Sequence, residues 1–203
     1  MTKNALIVFA RNPELGKCKT RLAKSLGDQS ALDIYKYLLQ HTANIAKNVD
    51  ASRYVFYSDE INLNDIWSNT YFSKKLQTGN DLGRRMHNAF EELLNSGYEK
   101  VIIIGSDLLD LSEDIIEQAF QKLETNEVVI GPAEDGGYYL LGMKILHSEV
   151  FKNKAWGSET VRKDTLKDLR NSHVYLLKEL NDIDTFEDMK HYEQLKPLYK
   201  THD

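Results

Sequence analysis

Short apolar runs alternate with amphipathic stretches along almost the whole chain. The first run is Asn4–Ala10, and a second, Lys100–Gly105, is uninterrupted Val and Ile between its ends. Runs of this kind are typical of strands that are buried on both faces. Between the runs, apolar residues recur at helical spacing, as they do over 29–48. Alternating strands and helices predict an α/β fold with a mostly parallel central sheet and helices on both faces.

The alternation predicts the order of the elements. We predict helices over 21–26, 29–48, 82–94, 112–124, 158–170 and 185–194. We predict strands at 4–10, 53–58, 100–105, 127–131, 138–143 and 173–178. Gly27 is expected to end the first helix, Asp28 to cap the second and Ser112 the fourth. The Gly136–Gly137 turn before Tyr138 predicts one strand that breaks the regular parallel order.

Length and composition limit the classes of protein that the chain can belong to. The 203 residues fit a single domain, 1–203, with 41% hydrophobic and 28% charged residues. A net charge of −5 argues against a nucleic-acid partner. No apolar run reaches membrane length and no signal peptide is recognisable, so we expect a cytoplasmic protein without membrane insertion. The single cysteine, Cys18, excludes an internal disulfide and a four-cysteine zinc site.

The first predicted strand leads directly into a basic loop, Arg11–Leu22, which contains glycine, threonine, two lysines and two arginines. At the carboxyl end of a strand, such a loop is suited to bind phosphate, because backbone N–H groups and fixed cations meet there. The loop has only Gly16, so it is not a dinucleotide fingerprint. Arg11 and Cys18 stand where a Walker A loop needs Gly and Ser or Thr, so it is not a P-loop either.

Acidic residues follow two of the later elements. Asp107 comes after the apolar strand 100–105, and Asp182 and Asp184 precede the last predicted helix. A carboxylate at the carboxyl end of a buried strand, opposite a diphosphate, is suited to hold Mg²⁺ or Mn²⁺. The alternative for each is a turn or helix-cap residue. If one cation uses both Asp107 and Asp184, their carboxylates must approach each other although 77 positions separate them.

Taken together, the motifs resemble a known family. In order, they are 9–13 with 16–22, 77–86, 105–107, 131–142 and 182–185. The sequence resembles the nucleotide-diphospho-sugar transferase superfamily with the GT-A fold. Within it, the chain is similar to bacterial glycosyltransferase-like relatives of 2-phospholactate guanylyltransferase, the selenodomain-associated or arsenosugar-type transferases. The resemblance covers nearly the whole chain.

The resemblance implies roles for individual residues. Asp107, Lys19 and Arg21 would be catalytic, and Asp107, Asp184 and Asp182 would hold the Mg²⁺ or Mn²⁺. The residues expected to contact the nucleotide are Ala10, Arg11, Pro13, Gly16, Lys19, Thr20, Arg21, Gln77, Gly79, Leu82, Arg84, Arg85 and Ser106. The residues expected to face the sugar or acceptor are Glu134, Asp135, Gly136, Gly137 and Tyr138. Trp156 could line an acceptor pocket, but an aromatic residue ahead of a helix start is more often a packing residue, and we interpret it so. Cys18 has no histidine partner that would make it a nucleophile.

Three functions remain open at this point. A glycosyltransferase would move a sugar from a nucleotide-diphosphate sugar to a small acceptor. A nucleotidyltransferase would join an NTP to a phosphorylated small molecule and release pyrophosphate. A non-catalytic nucleotide-binding module would have lost some of its acidic residues, whereas Asp107, Asp182 and Asp184 are all present. We predict glycosyl transfer, with a nucleotide or nucleotide-sugar and a small-molecule acceptor as partners.

Overall fold

A seven-stranded sheet forms the centre of the protein in a computed structural model that describes residues 3–199. The strands are β1 Asn4–Ala10, β2 Ser52–Tyr57, β3 Ser73–Leu76, β4 Lys100–Ile104, β5 Val128–Pro132, β6 Tyr138–Met143 and β7 Val174–Leu176. Their spatial order is β3-β2-β1-β4-β6-β5-β7. Strand β6 pairs antiparallel with β4 and β5, and the other named pairs are parallel. The strand that breaks the parallel order is therefore the one after the Gly136–Gly137 turn, as predicted.

Helices cover both faces of the sheet. They are α1 Thr20–Leu26, α2 Asp28–Ala46, α3 Leu82–Asn95, α4 Glu113–Thr125, α5 Val161–Asp168 and α6 Phe186–Met189, with 3₁₀ turns at Ser148–Phe151 and Glu193–Leu198. The buried faces of α2 and α4 pack on one side of the sheet, and α3 and α5 pack on the other. A hydrophobic core lies on each side of the sheet. Strand β1 contributes side chains to both, because Leu6 and Val8 point to one side and Ala5 and Ile7 to the other. Within residues 3–199, no helix has the length and apolarity to cross a bilayer.

Three element predictions are wrong in detail. Strand β3 was not predicted, because its sequence Ser-Lys-Lys-Leu lies at an edge, is largely exposed and has no apolar pattern. Asp28 does not cap α2; it is the first helical residue, and Gly27 precedes it with no side-chain cap. The helix predicted over 185–194 is the four-residue α6 followed by a 3₁₀ turn. Buried Met189 and Leu195 are six residues apart, a spacing that a continuous helix cannot direct to one face.

The strand order creates a crevice beside β1. From β1 the chain moves outward to β2 and β3, and then returns to place β4 on the other side of β1. Because Val8 pairs with Ile104 and Ala10 with Tyr57, β1, β2 and β4 all end at the same edge of the sheet. Open α/β sheets bind ligands at such a switch point, outside the carboxyl ends of the strands.

Candidate active site

A cavity of about 650 Å³, here named the β1/β4 cleft, lies at this switch point. Four of its lining residues are cations, namely Arg11, Lys19, Arg21 and Arg85. Its lining residues are Phe9, Ala10, Arg11, Cys18, Lys19, Thr20, Arg21, Tyr35, Ser58, Gln77, Asn80, Asp81, Leu82, Arg85, Gly105, Ser106, Asp107 and Asp184. The basic loop, the end of β4 and the start of α3 thus meet around one space.

The basic loop is held in place by hydrogen bonds at its start. The Tyr35 hydroxyl accepts from the Arg11 backbone N–H at 3.0 Å and donates to the Arg11 carbonyl at 3.0 Å. The Cys18 thiol lies further along and donates to the Asn12 carbonyl at 3.4 Å. Burial raises the pKa of Tyr35 to about 12, so its hydroxyl stays neutral beside an anionic ligand. Tyr35 and Cys18 therefore hold the start of the loop in place, and Tyr35 does so without adding negative charge.

Lys19 connects the basic loop to the acidic residues. It precedes α1 in a left-handed conformation, with φ of 47°, which is uncommon for a residue other than glycine. Its Nζ lies 2.9 Å from Asp107 Oδ2 and 2.7 Å from Asp184 Oδ1, and its side chain is only 6% exposed. Burial lowers the pKa of Lys19, but the two carboxylates outweigh it and raise that pKa above its ordinary value. Lys19 is thus a charged group between two carboxylates.

Three carboxylates converge at the mouth of the cleft. Asp107, Asp182 and Asp184 each offer an oxygen, and these oxygens all lie within 4.8 Å of one another. The Asp107 carbonyl accepts from the Ile183 N–H at 3.1 Å, which places the two later aspartates beside the end of β4. A capping box between Thr185 and Asp188 begins α6 and orients the segment. The prediction that the carboxylates of Asp107 and Asp184 lie close together is therefore confirmed.

The charge balance of this cluster suits a cation. Lys19 contacts two of the carboxylates and compensates only part of their charge. Burial raises the pKa of Asp182 to about 7, and the negative charges of Asp107, Asp184 and Asp135 add to the rise. An all-oxygen, carboxylate-rich donor set is the type that Mg²⁺ and Mn²⁺ prefer. The residues present therefore fit the predicted divalent cation.

A second cavity of about 220 Å³, here named the Trp156 pocket, adjoins the cleft. The two cavities share Leu82, Gly105 and Asp107 in their walls. The pocket is mostly apolar and aromatic, and its charged lining residues are all aspartates. It is lined by Leu82, Met86, Gly105, Asp107, Leu108, Ala133, Asp135, Gly137, Tyr138, Tyr139, Trp156, Gly157, Ser158, Val161 and Asp182.

The structure brings most of the predicted nucleotide contacts together, but not all of them. Those that line the cleft are Ala10, Arg11, Lys19, Thr20, Arg21, Gln77, Leu82, Arg85 and Ser106. Those that do not are Pro13, Gly16, Gly79 and Arg84. Gly16 and Gly79 instead have positive φ values of 74° and 139° and shape the backbone of their loops. The Arg84 side chain is exposed, and its backbone N–H donates to the carboxylate of Asp81, which caps α3.

Only some of the residues predicted to face the sugar or acceptor line a cavity. Asp135, Gly137 and Tyr138 line the Trp156 pocket, whereas Glu134 and Gly136 do not. Glu134 is exposed. Gly136 is buried under the backbone of Glu159, where a Cβ would lie 2.2 Å from the Glu159 carbonyl oxygen. Gly136 is therefore a packing requirement of the turn.

Several lining residues were missed in the sequence. Ser58 lines the cleft and directly follows β2, so the rule that ligands sit beyond the carboxyl ends of strands could have identified it. Tyr35 was assigned only to the apolar face of α2, and its helical spacing carries no signal of a second role. Trp156 was not missed: it packs against α3, as interpreted, and it also forms a wall of the second pocket, which was its alternative role.

Solved structures share this architecture. A protein from Desulfovibrio desulfuricans G20, provisionally described as a nucleotide-diphospho-sugar transferase, is 27% identical with a TM-score of 0.87 over 98% of this chain and 94% of the other. A 4-diphosphocytidyl-2C-methyl-D-erythritol synthase is 12% identical, with a TM-score of 0.60. The match covers 97% of this chain and 100% of that one. A CMP:2-keto-3-deoxy-manno-octonic acid synthetase complexed with CTP is 11% identical with a TM-score of 0.56, covering 97% and 99%. The fold is that of the nucleotide-diphospho-sugar transferases.

The sequence itself identifies a narrower family. Residues 41–158 match the model of the family described as "Uncharacterized protein conserved in bacteria (DUF2064)". The chain belongs to this family. No curated protein matches the chain. The matched range includes β4 with Asp107 and the turn before β6, and it excludes the basic loop and Asp182 and Asp184.

Proposed function

We propose that this protein is a nucleotide-dependent transferase and that it moves a sugar from a nucleotide-diphosphate sugar to a small acceptor. The observation that carries the proposal is the arrangement of the two cavities around Asp107. On one side, the β1/β4 cleft offers three arginines, Arg11, Arg21 and Arg85, at the switch point of the sheet. On the other, the Trp156 pocket offers an apolar, aromatic wall. A molecule with a phosphate part and a sugar part would span the two.

Each part of the site has a role in this reaction. Arg11, Arg21 and Arg85 would bind the nucleotide and its diphosphate in the cleft. Asp107, Asp182 and Asp184 would hold a Mg²⁺ or Mn²⁺, which would neutralise charge on the leaving diphosphate. The acceptor oxygen would bond to the anomeric carbon as the bond from that carbon to the diphosphate breaks, and the acceptor hydroxyl proton would pass to solvent water. Lys19, fixed beside Asp107, would keep the carboxylates oriented.

Nucleotidyl transfer is the second candidate. It is favoured by the cations of the basic loop, which are placed to stabilise a departing pyrophosphate. The fold of the two synthetases is consistent with it, and one of those was solved with CTP. The third candidate is a non-catalytic nucleotide-binding module. The convergence of three carboxylates is evidence against it, because such a module would not need them.

A thermal-shift screen tests the proposal. NTPs, NDPs and NDP-sugars would each be added with Mg²⁺ or Mn²⁺. A ligand at a hundred times its Kd should stabilise the protein by about 2.7 kcal/mol, which raises its melting temperature measurably. A glycosyltransferase should respond to an NDP-sugar and release NDP when an acceptor is present. The absence of a shift with any nucleotide would contradict nucleotide binding.

Arg21→Ala tests where the nucleotide binds. Arg21 is 65% exposed on the first turn of α1. Its Nη1 lies 3.5 Å from Asp184 Oδ2, and the rest of its guanidinium is accessible to phosphate oxygens. Its loss should weaken nucleotide affinity by about tenfold, or about 1.5 kcal/mol, without unfolding the protein. Lys24→Ala is the matched control, because Lys24 is an exposed cation on the same helix outside the cleft. Calorimetric titration should separate the two variants, and equal affinities would remove Arg21 from the site.

A further inference from the structure

Asn12 joins the basic loop to the residues that follow β2. Its backbone N–H donates to Ser58 Oγ at 3.1 Å. Its side-chain Nδ2 donates to the Glu60 carbonyl at 2.9 Å, and its Oδ1 accepts from the N–H groups of Asp59 at 3.1 Å and Glu60 at 3.4 Å. Asn12 lines neither the cleft nor the Trp156 pocket. A residue outside both cavities therefore connects two segments that meet beside the cleft.

These hydrogen bonds begin where the pairing of β1 with β2 ends. The Ser58 N–H donates to the Ala10 carbonyl at 3.0 Å, and Ala10 is the last residue of β1. Two residues further on, the Asn12 side chain supplies an acceptor and a donor to backbone groups that no longer have a strand as partner. An aspartate would lack the donor and an alanine would lack both, so this bonding pattern requires an amide.

The turn that follows is attached to Asn12 as well. The Cys18 thiol donates to the Asn12 carbonyl at 3.4 Å. Across the turn, Arg11 Nη1 donates to the Lys17 carbonyl at 3.1 Å. Tyr35 holds the start of the turn from α2, and Asn12 holds it from the end of β2. The first half of the basic loop is therefore a closed turn that is fixed to two neighbouring elements.

An ordered loop binds phosphate more tightly than a mobile one, because no conformational entropy of the loop is lost when the ligand binds. The cleft cations Arg11, Lys19 and Arg21 all belong to the basic loop. We infer that Asn12 is a positioning residue, which holds the basic loop against residues 58–60 and so keeps these cations in place for a phosphate-bearing ligand. The ligand rests on the proposed function, whereas the attachment of the loop does not. Asn12 acts through the loop and contacts no ligand itself.

A purely structural role for Asn12 makes a different prediction. In that case its loss would lower the free energy of unfolding, but the folded variant would bind phosphate as well as the wild type does. In the positioning role, its loss also weakens binding by the folded protein. Ligand affinity measured well below the melting temperature therefore separates the two roles.

Asn12→Ala tests the inference, with inorganic pyrophosphate and Mg²⁺ as the probe. Calorimetric titration at constant ionic strength should show about tenfold weaker binding by the folded variant, since part of the loop must then be ordered on binding. Asn62→Ala is the matched control. Asn62 is an exposed asparagine between β2 and β3 whose side chain accepts from the Asn64 N–H, within its own segment. This control should bind pyrophosphate as the wild type does.

Hydrogen–deuterium exchange of the same proteins without ligand measures the attachment of the loop directly. We expect faster exchange in Asn12→Ala, confined to residues 11–18 and 58–60. Unchanged exchange there, or a pyrophosphate affinity equal to that of the wild type, would overturn the inference. If the wild type binds neither pyrophosphate nor any nucleotide of the thermal-shift screen, the proposed function is contradicted together with the phosphate-bearing ligand. The exchange result alone then decides whether Asn12 holds the loop.

Discussion

The β1/β4 cleft and the Trp156 pocket are adjacent, but they are built in different ways. Half of the lining residues of the cleft come from two segments, the basic loop and residues 80–85 at the start of α3, and these segments carry its cations. The pocket combines residues from α3, the end of β4, the turn before β6 and residues 156–158. Arginines line the cleft, whereas the pocket has mostly apolar and aromatic walls whose charged residues are all aspartates. Asp107 belongs to both walls, so chemistry that joins the two ligands is expected there.

Asp107→Asn should have the largest effect, since it alters both cavities at once. The two side chains have nearly the same shape, and the hydrogen bond from Ile183 goes to the backbone carbonyl, so folding should be unaffected. The lost charge should reduce activity at least about 100-fold and remove metal-dependent nucleotide binding. Product formation and calorimetry would measure both. Asp110→Asn, on the same loop but outside both cavities, is the control. Full activity in folded Asp107→Asn protein would exclude the metal assignment.

Lys19→Met should separate the roles of the lysine and the cation within the cleft. Lys19 contacts both Asp107 and Asp184, so it competes with any cation for the same oxygens. Without it, the metal-free protein should lose about 1–3 kcal/mol of stability, because the carboxylates repel each other. Its Mn²⁺ affinity should rise about tenfold. Lys17→Met, a 68% exposed lysine of the same loop, should change neither value. Unchanged Mn²⁺ affinity in Lys19→Met would contradict the competition.

Gly83→Ala should alter the Trp156 pocket and leave the cleft intact. The new Cβ would collide with Trp156 and the Phe151 carbonyl, which should cost about 1–3 kcal/mol of stability and displace the indole. Affinity for a nucleotide-diphosphate sugar should fall, whereas affinity for the matching nucleotide diphosphate should stay within about twofold. Gly142→Ala is the control, because its Cβ would lie 2.9 Å from Ile102, away from both cavities. Equal losses of affinity for the nucleotide-diphosphate sugar and for the nucleotide diphosphate would show that the two cavities are not independent.

Asp182→Asn should have the smallest effect, and that effect should depend on pH. Because the pKa of Asp182 is raised to about 7 in the folded protein, the folded state binds more protons than the unfolded state between about pH 4 and 7. Its contribution to stability therefore falls as pH rises through this range. In metal-free buffer, the variant should gain about 1–2 kcal/mol at pH 8 and almost nothing at pH 3.5. Urea denaturation at both values measures this, and a gain independent of pH would contradict it.

The sequence determined the parts of the fold that depend on local pattern. The apolar runs of β1 and β4 predicted the central strands, and the cap Ser112 marked the start of α4. The basic loop was identified because it follows the end of a buried strand, where ligands bind in open α/β sheets. Each aspartate taken alone could equally be a turn or helix-cap residue, and their metal role came from the resemblance to the family. Strand β3 was missed because its pairing with β2, and not its own composition, makes it a strand.

Only the tertiary structure decided how these parts combine. Asp107 and Asp184 meet because the Ile183 N–H donates to the Asp107 carbonyl, a contact across the chain that no local pattern encodes. Lys19 was predicted to meet phosphates, and the folded chain places its ammonium group between two carboxylates. The Trp156 pocket exists because Gly83 and Gly136 lack side chains at points where distant segments touch. Such contacts depend on packing between elements, whereas sequence patterns record only the preferences of each element alone.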